Sequence, residues 1–261
     1  MTDPHEVPTV TLPGDVVMPM VGFGTWPMRG HQACAAVLRA LEAGYRHLDT
    51  ATMYANEGEV GHAVRDSGVP RPEVFLTTKL RASDAGRLEQ VLTASLRALG
   101  TDYLDLWLIH WPPRGRASVL AWQEMIALRD KGLVRAIGVS NYSLPLIDDL
   151  INATGEAPTV NQIHWNPRRY DGALLDDLRR RGVIVEGYSP LKDTNLRDRV
   201  LTEIARAHGV TPAQVVLRWH LEHGIVVIPK SSDPKRIVAN LDLFGFALEP
   251  QETARIDALA A

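Results

Sequence analysis

One alternation constrains this chain more than any other feature of it: short apolar, β-branched runs followed, again and again, by longer stretches of helical periodicity. The strand-like runs fall at Val21 to Thr25, Tyr45 to Leu48, Val74 to Thr78, Leu104 to Ile109, Val134 to Val139, Thr159 to Ile163, Val183 to Gly187 and Ile225 to Ile228. Apolar residues at helical spacing lie near 31 to 43, 56 to 67, 85 to 99, 119 to 131, 144 to 152, 173 to 181, 198 to 208, 212 to 223, 234 to 241 and 250 to 260. Several helices run into a glycine just before the next strand, at Gly44, Gly100, Gly132, Gly182 and Gly224, where a left-handed residue is the expected stop. Parallel strands need both faces covered, so eight strand-helix repeats favour a closed barrel over an open sheet. The expectation is an α/β fold, a (β/α)8 TIM barrel, as one domain across 1–261. The helices at 198–208 and 250–260 are then additions outside the ring. Ahead of the first barrel strand, Thr9 to Leu12 and Val16 to Met20 flank Pro13-Gly14-Asp15 and read as a β-hairpin.

A length of 261 residues with 45% hydrophobic content suits one large core. The formal charge of -3, with both signs mixed along the chain, offers no concentrated positive field and argues against nucleic acid as a partner. Cys34, the only cysteine, lies in an apolar helical pattern and reads as packing, so neither an internal disulfide nor a thiolate metal cluster is expected. The stretch Met1 to Pro8 is polar, and no apolar run approaches the ~20 residues that span a bilayer. A cytoplasmic protein with no membrane association, working as a monomer, is expected.

In a parallel barrel the C-terminal strand ends converge on one face, and catalytic groups come from several of them. Those positions hold Asp49 with Tyr54, Lys79, His110, Ser140 with Asn141, Gln162, Tyr188 with Ser189, and Lys230 with Ser231. One polar residue closing a strand is ordinary; seven such clusters on one face call for a reason. A tyrosine titrates near ~10, a weak acid for protonating an alkoxide at neutral pH. A nearby ammonium lowers that value, and Lys79 is the candidate. Asp49 would hold the ammonium in place, and His110 could donate a hydrogen bond to a substrate oxygen. The alternative from spacing alone is an Asp49–Lys79 ion pair beneath a packed Tyr54, with His110 a satisfied barrel-end histidine. His208, His220 and His223 sit in helical patterns and read as surface or packing. No His-x-His follows the first strand, and no metal site is expected.

Three stretches match a known family in order and spacing. Gly44-Tyr45-Arg46-His47-Leu48-Asp49-Thr50-Ala51-Thr52-Met53-Tyr54, continuing to Gly61, resembles the first signature of the aldo-keto reductases. Gly138-Val139-Ser140-Asn141 is similar to the middle one, and Ile228-Pro229-Lys230-Ser231 with Arg236, Ile237 and Asn240 to the last. The likeness runs from the hairpin to Leu259 and is greatest to bacterial short-loop members of the diketogluconate-reductase kind. It implies reduction of aldehydes and ketones by NADPH, with Tyr54 as general acid, Lys79 and Asp49 tuning it, and His110 orienting the carbonyl. It further implies that Ser140, Asn141 and Gln162 hold the nicotinamide carboxamide and that Tyr188 stacks on the ring. Thr25, Ser189 and Leu191 complete that part of the cofactor site. Lys230, Ser231, Ser232 and Arg236 would meet the adenosine 2′-phosphate and Asn240 the adenine, so NADPH/NADP rather than NADH is the implied cofactor.

The family binds its dinucleotide without a Rossmann domain, which agrees with Gly22-Phe23-Gly24 lacking the third glycine of that fingerprint. A lysine, a serine and an arginine beside the helix start at Pro234 make a phosphate site on independent grounds. Two departures stand out. Where many members run through an acidic residue to His-Pro, this chain has His164-Trp165-Asn166-Pro167, and Ala239 replaces an acidic or amide residue near the adenine. The segments after His110 and after Tyr188 are short, which implies an open, permissive cleft for small carbonyl compounds lined by Trp26, Met53 and Trp111. The rival from another class is a regulatory barrel that senses NADPH with little turnover.

Overall fold

In the computed structural model, which describes residues 7–260, the alternation resolves into ten strands and ten helices. They run β1 (Thr9–Leu12), β2 (Val16–Pro19), β3 (Phe23–Gly24), α1 (Gly30–Glu42), β4 (His47–Asp49), α2 (Glu57–Asp66), β5 (Phe75–Leu80), α3 (Leu88–Leu99), β6 (Leu104–Ile109) and α4 (Ala117–Asp130). The second half is β7 (Val134–Ser140), α5 (Leu144–Thr154), β8 (Val160–His164), α6 (Gly172–Arg180), β9 (Ile184–Tyr188), α7 (Arg199–His208), α8 (Pro212–Glu222), β10 (Val226–Ile228), α9 (Pro234–Leu241) and α10 (Pro250–Asp257). Most of the polar leader read at Met1 to Pro8 lies outside the described residues.

Strands β3 to β10 pair in parallel in chain order. The ring closes between its first and last strands. Gly22 N–H donates to the Val227 carbonyl at 2.9 Å, Val227 N–H to Met20 at 2.9 Å and Gly24 N–H to Pro229 at 3.0 Å. The expected glycine stops take left-handed backbone, as at Gly100 (φ 66°) and Gly224 (φ 62°). Side chains alternate across each strand. Leu76, Trp107, Ile109, Ile137, Val139 and Val185 pack outward with the helices. Phe75, Leu106, Ala136 and Val160 pack inward with Val226.

The antiparallel hairpin β1–β2 turns at Gly14 and Asp15 and drives Leu12, Val16 and Met18 into this inner cluster. It therefore closes the barrel at the N-terminal ends of the strands. Each such fully buried side chain is worth about 1.5–3 kcal/mol. Two residues further along the same inward face, the barrel turns polar: Thr77, Gln162 and Glu186, and then Lys79, His110, Ser140 and Tyr188. One end of the interior supplies the stability and the other carries the reactive groups.

Helices α6, α7, α8 and α9 start on side-chain caps from Asp171, Asp198, Thr211 and Asp233. Helices α7 and α10 lie outside the ring as expected, tied to each other by His208–Glu252 (2.8 Å) and Arg255–Glu203 (2.6 Å). His220 is buried against the carbonyls of Val216 and Trp165, and His223 pairs with Asp257, so all three histidines serve packing. Cys34 packs at the edge of the core. Two early strands are shorter than their apolar runs. Tyr45 leaves the sheet before β4 begins, because its ring packs edge-on against Phe23 at 5.5 Å and its hydroxyl donates to the Ile237 carbonyl at 3.1 Å. The helix expected from 85 starts at Leu88, after a separate 3-10 turn at Ala82–Asp84 in which Asp84 accepts from Arg81 N–H.

Candidate active site

Neighbouring strands bring Asp49, at the end of β4, and Lys79, near the end of β5, into one buried cluster. The Lys79 ammonium donates to both Asp49 carboxylate oxygens, at 2.6 and 2.7 Å, and to the Thr50 carbonyl at 3.0 Å. Those three acceptors use all three ammonium hydrogens. The Tyr54 hydroxyl stands at 3.4 Å, the longest of the four contacts. Tyr54 reaches this point because Thr52–Tyr54 forms a 3-10 turn, pinned by Thr52 Oγ1 donating to the Lys79 carbonyl at 3.0 Å and ended by Ala55 in left-handed backbone. His110 meets the Tyr54 ring edge-on at 5.5 Å. The sequence thus named four residues that the fold assembles.

The electrostatics differ from the expectation in one respect. Burial raises the Tyr54 phenol above its ordinary value, and Lys79 pulls it down without winning. The expected net lowering is therefore absent, because desolvation of a phenolate this deep outweighs one ammonium already saturated by Asp49. Burial works against the Lys79 ammonium too, but Asp49 first, and then Tyr54, leave its pKa raised, so it stays charged. Burial, helped by the Lys79 charge, brings His110 down to about 4. At neutral pH the imidazole is uncharged and can donate one hydrogen bond.

These groups open into a cleft of about 560 Å³, of the size that holds small organic ligands. Thr25, Trp26, Met53, Trp111, Ser140, Asn141, Gln162, Tyr188, Ser189, Leu191 and Lys230 all line it. Its rim is wet and apolar: Trp26 is 60% exposed, Met53 46% and Trp111 49%. The lining residues that sequence reading passed over are Gly24, Pro27, Pro190, Lys192, Ile228 and Pro229. Lys192 apart, they are small or apolar residues beside the polar ones, and their only signal is adjacency.

One wall is a chain of fixed amides and hydroxyls. Ser140 Oγ donates to the Gln162 carbonyl at 2.8 Å, and the Asn141 amide donates to Ser140 Oγ at 2.9 Å and to the His110 carbonyl at 3.2 Å. Tyr188 donates its hydroxyl to Asn141 Oδ1 at 2.9 Å. Asn141 and Ser189 hold left-handed backbone, φ 63° and 53°, a conformation that costs non-glycine residues energy and recurs at ligand sites.

Past Lys230, Ser231 and Ser232 lie on the loop before α9, Arg236 in its first turn and Asn240 in its last. Lys230 and Arg236 are exposed and have no carboxylate partner among the described residues. The helix start itself is not free for an anion. Asp233 already accepts from the backbone N–H groups of Lys235 and Arg236, at 2.8 and 3.2 Å. An anion placed here would have to be held by side chains, not helix amides. The donor set fits a ligand with an amide at one end and an anion at the other, as NADP(H) has.

Sequence reading also passed over what lies under the wall. Gln162 donates from its one amide nitrogen to Asp49 Oδ2 at 2.8 Å and to Glu186 Oε2 at 2.9 Å, and Glu186 in turn faces His47. The signal was present: Glu186 is a charged residue between Val185 and Gly187 in an otherwise apolar strand, two residues before Tyr188 and on the same face. At the other departure, His164 stacks on Tyr188 with ring centroids 5.4 Å apart.

Comparison with known proteins agrees with this architecture. Residues 20–261 match the sequence profile of the Aldo/keto reductase family. The 2,5-diketo-D-gluconic acid reductase B of Corynebacterium sp. is 43% identical over 259 residues, 97% of this chain and 94% of that protein. An aldo/keto reductase structure from Brucella melitensis superposes with a TM-score of 0.95 at 41% identity, covering 98% of each chain. The aldo-keto reductase of Bombyx mori, solved in complex with NADP, superposes at 0.93 with 33% identity, over 98% of this chain and 93% of that one. With its signature residues gathered around one cleft at the end of a parallel barrel, the chain belongs to the aldo/keto reductase family.

Proposed function

We propose that Tyr54 is the proton donor in the NADPH-dependent reduction of aldehydes and ketones to alcohols that this reductase carries out. The observation that carries the assignment is the contact series Asp49–Lys79–Tyr54, at 2.6 and 3.4 Å, with His110 beside Tyr54 at the mouth of the cleft. NADPH, when bound, supplies the hydride. A carbonyl oxygen placed between His110 and Tyr54 receives a hydrogen bond from the neutral imidazole, which orients it. As negative charge gathers on that oxygen it becomes far more basic than a phenolate, and the Tyr54 proton moves to it. The Lys79 ammonium then stabilises the phenolate left behind, while Asp49 fixes the ammonium. Lys79 therefore matters most after the proton has left, which reconciles a buried, raised phenol with its task as an acid.

Ser140, Asn141 and Gln162 hold the nicotinamide carboxamide, and Tyr188 supports the ring, flanked by Thr25, Ser189 and Leu191. Lys230, Ser231, Ser232 and Arg236 receive the 2′-phosphate and Asn240 the adenine, which gives NADPH the preference over NADH. The Corynebacterium relative is a 2,5-diketo-D-gluconic acid reductase. The exposed rim of Trp26, Met53 and Trp111 supports a broader range of small carbonyl compounds here, turned over by a monomer whose site residues all come from one chain. No observation favours a regulatory barrel without turnover.

The test is a panel of activated aldehydes with NADPH, followed by loss of cofactor absorbance. Tyr54→Phe should cut turnover by about 10²–10⁴-fold and leave NADPH affinity nearly intact. Undiminished turnover in that variant would refute the assignment.

A further inference from the structure

We propose that Glu186 and His47 share one buried proton beneath the active site, and that this keeps Glu186 an uncharged carboxylic acid that positions Gln162. The argument begins at His47. Its Nδ1 lies 3.2 Å from the Pro19 carbonyl, which only accepts, so Nδ1 carries the hydrogen. The ring fits there because Gly22 has no side chain; a Cβ at that position would stand 2.6 Å from Nδ1. In the neutral ring Nε2 is then a lone pair, and it faces Thr77 Oγ1 at 3.2 Å and Glu186 Oε1 at 3.5 Å.

Glu186 is fully buried. Its Oε2 accepts from Gln162 at 2.9 Å, and its Oε1 has no hydrogen-bond partner among the described residues. An ionised carboxylate would point lone pairs at the imidazole lone pair in a dry interior. A proton on Oε1, aimed at His47 Nε2, removes the conflict and leaves both groups uncharged, which burial favours over an ion pair.

Burial favours that placement, while the charges around it act both ways, Asp49 raising both groups and Lys79 lowering both. Asp49 on β4 and Lys79 on β5 face Glu186, and Asp49, Lys79 and Asp105, on β6, face His47. Gln162 on β8 and Thr77 on β5 add neutral polar contacts, Val226 on β10 is apolar, and the hairpin contributes the Pro19 carbonyl. Burial first, and then the Asp49 charge, push the Glu186 carboxyl up to about 8, while burial brings His47 down to about 4.

Two consequences reach the reacting groups. Both hydrogens of the Gln162 amide nitrogen are held, one by Asp49 and one by Glu186, so the amide cannot flip and its oxygen remains the free acceptor. An uncharged Glu186 also spares the cluster a second negative charge, which would oppose phenolate formation at Tyr54. Glu186 is thus a positioning residue. The proton's location rests on the geometry of the protein alone; its effect on cofactor and rate rests on the roles proposed above for Gln162 and Tyr54.

The two parts are separable by experiment. Infrared difference spectra of the protein without cofactor, at pH 7, should show a protonated-carboxyl stretch that disappears in Glu186→Gln. Absence of that band in the parent overturns the proposal whatever the assays give. Should Glu186→Gln not fold, the band must shift in His47→Asn, and an unmoved band is equally fatal. In assays, Glu186→Ala should weaken NADPH about tenfold, the loss of one charge-free buried hydrogen bond. Glu186→Gln, with a carbonyl for Gln162 and an amide for His47, should restore most of that. The parent's kcat/KM should show a falling limb near pH 8 that Glu186→Gln lacks. A glutamine variant as impaired as the alanine one would show that the carboxylate form is required, and a limb that persists in it would assign the titration to another group; either result overturns the proposal.

Discussion

Lys79 and Trp111 belong to the same site, yet one has no exposed surface and the other is 49% exposed. Around Lys79 each partner answers to several others: Asp49 accepts from the ammonium twice and from Gln162 once, and Gln162 is held again by Glu186. Around Trp26, Met53 and Trp111 the chain imposes little, and the segments behind them are short. The contrast teaches where this molecule stores its chemistry and where it stores its tolerance. The groups proposed to handle the proton are fixed by packing and cannot be altered without disturbing the barrel. The exposed apolar rim is almost independent of the fold.

Breaking the determined end should cost most. Asp49→Ala leaves the Lys79 ammonium buried without its carboxylate, and unfolding in denaturant should show a loss of about 3–5 kcal/mol together with loss of turnover. A variant as stable as the parent would mean the floor is less constrained than its contacts indicate.

Acid attacks the same end by another route. His47, His110 and His220 are held uncharged in the fold at about 4 against an ordinary 6.5. The unfolded chain takes up those protons first, so stability present above pH 6.5 is lost as the pH falls towards 4. Glu186, raised to about 8, works in the opposite sense from pH 8 down to its ordinary 4.5 and offsets one histidine of the three. Thermal melts should show a lower Tm at pH 5 than at pH 7, and an unchanged Tm would contradict the buried neutral state of these rings.

A position between the extremes is Lys230, which lines the cleft but is exposed. Lys230→Ala should weaken NADPH about tenfold, the equivalent of about 1.4 kcal/mol, with NADH little affected. Parallel loss of both would count against the phosphate role. Smallest of all, Trp111→Ala should change stability by no more than about 0.5 kcal/mol while altering KM differently from one aldehyde to the next. A uniform fall in kcat across the panel would place Trp111 with the floor instead.

The same contrast explains what could be read from the sequence. Short apolar, β-branched runs alternating with helical segments revealed the barrel, and Asp49, Lys79, His110 and Gln162 stood at their expected strand ends because position along a strand is a local property. Tyr54's net electrostatics were hidden, since burial is summed over the whole fold and reversed the direction that Lys79 alone suggests. The helix start at Pro234 looked open to phosphate, but Asp233 occupies its amides, a matter of one side-chain torsion. Glu186 and His47 were visible as residues but not as partners, because 139 positions of chain separate them and only barrel closure joins them.

That closure has a further consequence. Two of the shortest strands of the ring, β3 and β10, meet at its junction, where Gly24 and Thr25 from the start of the chain and Ile228, Pro229 and Lys230 from near its end line the same cleft. Any occupant of the cleft spans this junction and acts as a clasp between the two termini of the ring. Ligand affinity and the mechanical integrity of the barrel are then one quantity seen from two sides, and the amides of Gly22, Gly24 and Val227 should exchange their hydrogens more slowly the more tightly the clasp is held.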